Sequence, residues 1–191
     1  MSVALRQPMT VAEFLTWEER QELRWEFDGF EPVAMTGGTV AHETISNNIL
    51  IAIQTRLAGR PCRAYGANLK IEVAGRIRYP DAFVVCTPLP PRTTVVREPV
   101  IVFEVLSDST SRIDRIEKLR EYSATPSIQR YVILDQDAIA AMVFERKGSD
   151  LVAEALTAAD TLHMLEIGIE VPMSEFYLGI ELSDEPDPPT D

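Results

Sequence analysis

The stretch Val100-Ile101-Val102-Phe103-Glu104-Val105-Leu106 decides how this chain folds. Every residue in it except Glu104 is apolar, and most are β-branched or aromatic, which predicts a central strand covered on both faces. A carboxylate in such a strand loses its hydration at a cost of several kcal/mol and is buried only when paired or bound to a metal. Upstream, Pro80-Asp81-Ala82-Phe83-Val84-Val85-Cys86 reads as a second strand with one acid at its start, and a proline-rich connection from Thr87 to Pro99 separates the two. Antiparallel pairing that sets Cys86 against Val100 places Asp81 opposite Val105 and beside Glu104. A slip of one residue would turn the side chains to the other face. Two carboxylates ~4 Å apart at an effective dielectric of ~20 repel by about 4 kcal/mol. Such a pair calls for a cation, a shared proton or basic neighbours.

Working outward, Ser107-Asp108-Ser109-Thr110 offers several helix N-caps and feeds a helix over 112–123, which Pro126 stops. Gln129 to Asp135 is the next strand, and the strand–helix–strand spacing makes it parallel to the Glu104 strand. Thr10-Val11-Ala12-Glu13 is a capping-box pattern opening a short helix, and Asp28-Gly29 marks an N-terminal hairpin. Gly37-Gly38-Thr39 introduces a helix from about Val40 to Leu57 with Ile45, Ile49, Ile53 and Leu57 on one face, and His42 lies near that face in the first turn. Strands follow at 62–65 and 68–73, and 138–146 with 151–156 form a second hairpin. The expectation is one domain over residues 1–182, with 183–191 an acidic, proline-rich disordered tail.

With 46% hydrophobic residues the chain can build a single good-sized core. No apolar run is long enough to cross a membrane, and no signal-peptide pattern opens the chain. Cys62 and Cys86 lack metal-ligand spacing and read as buried, reduced thiols in a cytoplasmic protein. A net charge of −12 argues against a general nucleic-acid binder, so work on DNA requires a local basic face or a metal. Fifteen arginines but only three lysines, Lys70, Lys118 and Lys147, restrict any lysine-dependent chemistry to a short list.

Tyr79-Pro80-Asp81, Glu104-Val105-Leu106-Ser107 with Ser109-Thr110, the run from Asp114 through Lys118 to Tyr122, and Arg130-Tyr131-Val132-Ile133-Leu134-Asp135 together resemble the Uma family of candidate restriction endonucleases, within the PD-(D/E)XK nuclease superfamily. Trp25-Glu26 with Asp28-Gly29, and His42, fit the same pattern, so the resemblance spans about residues 9 to 180. It implies an α+β (α/β) restriction-endonuclease-like core, a mixed central sheet flanked by helices, with the N-terminal hairpin. It also implies a Mg²⁺- or Mn²⁺-dependent endonuclease acting on DNA, as a homodimer, with Asp81, Glu104 and the Val105 carbonyl holding the metal. The superfamily's lysine belongs two residues after the glutamate, where this chain has Leu106, so the resemblance points to Lys118 from the following helix, with Lys70 as the spare. His42 and Glu26 complete the candidate catalytic set, and Arg112, Arg115 and Arg120 could flank a phosphate track. Against these stand plainer roles: an Asp114–Lys118 pair along the helix, a structural His42, a solvent-facing Glu26, and a catalytically inactive nuclease-fold scaffold as the rival for the whole protein.

Overall fold

The computed structural model describes residues 9–35, 37–106 and 112–182, apart from the side chains of 112–114. The anticipated caps in 107–110 and the tail 183–191 fall outside the described residues.

The Thr10 capping box forms: the Thr10 hydroxyl accepts from Glu13 N–H and the Glu13 carboxylate accepts from Thr10 N–H, opening helix α1, Val11–Glu18. The Asp28 carboxylate accepts from the Phe30 and Glu31 amides and closes the hairpin of β1, Trp25–Phe27, and β2, Pro32–Ala34. Thr39 caps α2, Val40–Arg56. Strands β3, Arg63–Gly66, β4, Lys70–Val73, β5, Arg76–Arg78, β6, Ala82–Val85, β7, Val95–Val96, and β8, Ile101–Val105, follow. Then come α3, Arg112–Ser123, β9, Arg130–Leu134, and the hairpin of β10, Ala140–Lys147, and β11, Asp150–Thr157. A ribbon of β12, Thr161–Met164, and β13, Ile169–Pro172, and a 3-10 turn at Met173–Tyr177 complete the described chain.

The central sheet has six strands in the order β11-β10-β9-β8-β6-β3. As expected, β8 pairs antiparallel with β6 and parallel with β9. Both faces of β8 are covered, because Ile101, Phe103 and Val105 join the core under α2, with Ile45, Ile49 and Ile53, while Val102 joins Tyr122, Tyr131 and Ile133 on the other side. Burying each such isoleucine contributes roughly 1.5–3 kcal/mol. A second, five-stranded sheet, β2-β1-β5-β4-β7, gathers the N-terminal hairpin, the expected strand at 68–73 as β4, and β5 and β7, which the sequence pattern left as turn and connection.

Two expectations are corrected. The β6–β8 ladder pairs Ala82 with Phe103 and Val84 with Ile101, one residue away from the anticipated register, so its continuation sets Asp81 opposite Glu104 itself. All residues of both strands are buried, so no alternation of apolar and polar residues pins the register. The cysteines are not thiols. Arg63 pairs with Val85, the next pair outward is Cys62 and Cys86, and these two form a disulfide across 24 residues of chain. Their spacing carried no sign of this pairing, which only the β3–β6 ladder creates.

Candidate active site

Asp81 stands immediately before β6 and Glu104 is the fourth residue of β8, so the ladder brings both acids to one end of the central sheet. Alternation along β8 turns Glu104 toward the face that carries Tyr122. There the α3 helix answers it twice. Lys118 Nζ lies 3.2 Å from Glu104 Oε2, and the buried Tyr122 hydroxyl donates to Glu104 Oε1 at 2.8 Å. Lys118 and Tyr122 are four residues apart and therefore share one face of the helix. The alternative partner for Lys118, the Asp114 side chain, lies outside the described residues.

Asp81 is held by two other groups. Its Oδ2 accepts from the Val105 amide at 2.7 Å and lies 3.3 Å from His42 Nε2. His42 reaches it from the first turn of α2, and the glycine before the cap makes room for the ring. A Cβ at Gly38 would sit 2.9 Å from His42 Nδ1, tighter than real contacts allow. His42, Asp81, Glu104, Val105 and Lys118 are thus brought together.

Lys70 is elsewhere, paired with the buried Glu18 carboxylate and lying over the Tyr79 ring. Tyr79 completes that cluster by donating its hydroxyl to Glu18 at 2.6 Å. Glu26 is not solvent-facing. Its Oε2 pairs with Arg78 at 3.0 Å and its Oε1 accepts from the Tyr79 amide at 3.0 Å, so both oxygens are engaged two residues before Asp81. Of the arginines proposed to flank a phosphate, Arg115 and Arg120 line depressions beside α3, and the Arg112 side chain is outside the described residues.

Burial pushes the Glu104 carboxyl up to about 7; Lys118 opposes this, Asp81 and Glu26 add to it, and the Tyr122 hydrogen bond eases it. His42 is raised above the ordinary histidine value, chiefly by its hydrogen bond to Asp81, against the opposing effect of burial. The two acids therefore hold a lysine and a histidine in place, and a further positive charge between them would relieve the cost of ionising Glu104.

The donor set suits a hard divalent cation: two carboxylates from neighbouring strands, with the Val105 carbonyl as the oxygen that the sequence resemblance adds. Among the described residues no three or more His, Cys, Asp or Glu side chains are grouped to hold a metal ion. Two carboxylates, one carbonyl and several retained waters is a pattern typical of Mg²⁺.

Sequence reasoning picked out Tyr122 as part of a motif but not its bond to Glu104, and it missed the buried pair of Arg78 and Glu121 behind it. Arg78 was legible only as one basic residue in a short strand. The partners that give it meaning are 52 and 43 residues away.

Comparison with known proteins yields a family model, Uma2, described as "Putative restriction endonuclease", that matches residues 11–174. Two uncharacterized Synechocystis sp. proteins are similar. One, slr1290, is 30% identical over 172 residues, covering 88% of this chain and 90% of the relative. The other, sll1609, is 27% identical over 143 residues, covering 71% of this chain and 80% of the relative. A crystal structure of a "putative nuclease belonging to DUF820" from Anabaena variabilis superposes with a TM-score of 0.74 at 15% identity, over 89% of this chain and 98% of that one. That likeness shows the fold, a restriction-endonuclease-like α+β core.

Proposed function

From the premise that this chain belongs to the Uma2 family, we propose that it is a divalent-cation-dependent phosphodiesterase that cuts DNA. The observation that carries this reading is the meeting of Asp81 and Glu104 at one end of the sheet, with Lys118 on the second carboxylate at 3.2 Å. Asp81, Glu104 and the Val105 carbonyl would hold Mg²⁺ or Mn²⁺. Such an ion, when bound, supplies a nucleophilic hydroxide at neutral pH and offsets charge on the phosphate. The chain's own groups do the rest. Lys118 presents an ammonium beside Glu104, where it stabilises negative charge developing on the phosphoryl oxygens or orients the attacking water. His42 Nε2 and the Val105 amide share Asp81 Oδ2 and so fix the direction of that carboxylate. Tyr122 fixes Glu104 in the same way.

A net charge of −12 makes the surface repel DNA at long range, so the cation is needed for approach as well as for chemistry. Cleavage of both strands of a duplex in one encounter is served by two such sites, which a homodimer would supply. No described helix is long and apolar enough to cross a membrane. The Cys62–Cys86 disulfide withdraws the argument that reduced cysteines made for a cytoplasmic location. The same charge favours one rival, a scaffold with the fold but no activity.

The decisive experiment incubates pure protein with supercoiled plasmid and Mg²⁺ or Mn²⁺. Nicking or linearisation by the wild type, lost in chelator and in Asp81→Asn, is the expected result. An intact plasmid under every condition would favour the scaffold.

A further inference from the structure

Behind the candidate site lies a buried group of charges that takes no part in the chemistry above. Arg78, on β5, is 3% exposed at its side chain, as is Glu121 on α3. The guanidinium grips Glu121 with two bonds, Nε to Oε2 at 2.8 Å and Nη2 to Oε1 at 2.6 Å. Its remaining nitrogen reaches Glu26 Oε2 at 3.0 Å. Arg76 adds an ion pair, its Nε lying 2.9 Å from Glu121 Oε1.

Building on the metal-site reading, we propose that Arg78 is a positioning residue that sets the two halves of the site in register. On one side it holds Glu26, which accepts from the Tyr79 amide at 3.0 Å, two residues before Asp81. On the other it holds Glu121, three residues after Lys118 and next to Tyr122, the two residues that contact Glu104. One guanidinium thus spans the strand that delivers the first carboxylate and the helix that meets the second.

The geometry explains why an arginine is required. The C-terminal end of α3 is already tied down from another side by Arg146, whose Nη2 donates to the carbonyls of Tyr122, Ser123 and Thr125 at 3.3, 2.9 and 3.1 Å. Those bonds set the height of the helix end. The fork on Glu121 adds a directional constraint, because two parallel bonds fix orientation as well as distance, and a lysine ammonium cannot do this. A helix turned about its axis would carry Lys118 and Tyr122 away from Glu104 together. Burial opposes the charge on Arg78, but Glu121 and Glu26 outweigh that cost and hold its pKa above the ordinary value, so the clamp is charged at all working pH values.

The test compares Arg78→Lys with the wild type in two measurements: amide hydrogen exchange in chelator, and calorimetric titration with Mn²⁺. Arg78→Lys keeps the charge but loses the fork. In the variant the α3 amides around Lys118 and Tyr122 are expected to exchange at least about tenfold faster, while β9 and α2 keep their wild-type rates. The Kd for Mn²⁺ is expected to rise at least about tenfold, the usual cost of losing a group that orients metal ligands. Unchanged protection in α3, or a loss spread equally over β9 and α2, overturns the proposal and leaves Arg78 as a purely structural residue. If the wild type itself takes up no Mn²⁺, the metal-site reading fails, and the exchange pattern still decides the clamp. Should Arg78→Lys not fold, Glu121→Gln carries the same expectations with the side-chain size preserved.

Discussion

Replacing Glu104 by glutamine in metal-free protein exposes what this site costs the fold. A glutamate ordinarily titrates near 4.5, and burial moves Glu104 to about 7. At 1.36 kcal/mol per pKa unit that difference corresponds to about 3 kcal/mol. Because the folded-state value is raised, the stability this one group contributes is fully present below pH 4.5. It is then lost as pH rises toward 7, where the buried carboxyl has to ionise. Between pH 5 and pH 8 the wild type should lose about 2–3 kcal/mol through this one group. Glu104→Gln cannot ionise and should not show that loss. Its absolute stability is a poorer guide, because Lys118 gives up its charged partner while Tyr122 keeps an acceptor. The assay is urea denaturation in chelator at several pH values from 5 to 8, comparing the slope of unfolding free energy against pH. His42, whose value is also raised, chiefly by its hydrogen bond to Asp81, adds a slope of the same sign to both proteins. The smaller part it owes to Glu104 disappears with the charge, so the difference between them reports Glu104 together with its coupling to His42. Equal slopes would refute the reasoning, since they would mean that the carboxylate is solvated or already neutralised. Saturating Mg²⁺ should flatten the wild-type profile.

Lys118→Ala should abolish cleavage and, at pH 8, cost about 1–3 kcal/mol, since it strips the counter-charge from a buried carboxylate. At pH 5, where Glu104 is protonated, the cost should fall below about 1 kcal/mol, and denaturation at the two pH values reads the difference. Mg²⁺ at a hundredfold excess over its dissociation constant should stabilise the wild type by about 2.7 kcal/mol, and Glu104→Ala should remove most of that gain in a thermal melt. Reducing agent should lower wild-type stability by about 3 kcal/mol, the scale for a disulfide closing a loop of this length. A Cys62→Ser/Cys86→Ser variant should be indifferent to it.

The parts of this fold that could be read from sequence are those whose signals are local. Glu104 was conspicuous because it interrupts an apolar strand, α2 because isoleucines recur every fourth residue, and the β8–α3–β9 crossover because its spacing leaves few alternatives. The register between β6 and β8 could not be read correctly, since strands buried on both faces carry no polar residue to fix it. Strand β5 was invisible behind Gly75 and the Tyr79-Pro80 turn, and the ribbon of β12 and β13 has no distinctive pattern. Among the candidate groups, Asp81, Glu104, Lys118 and His42 assemble as a cluster, whereas Lys70 is drawn into a pair with Glu18 by a contact across 52 residues. Glu26 looked like a surface acid because it alternates with Trp25 and Phe27. The second sheet turns it inward to Arg78, a consequence of tertiary structure that no local pattern announces.

The proposed chemistry requires a divalent cation between Asp81 and Glu104. Anomalous scattering from crystals soaked in Mn²⁺ tests it most directly. The predicted result is a single strong peak within ligand distance of both carboxylates and the Val105 carbonyl, absent in crystals of Asp81→Asn. No peak at that position in the wild type, or a peak that persists in Asp81→Asn, would contradict it.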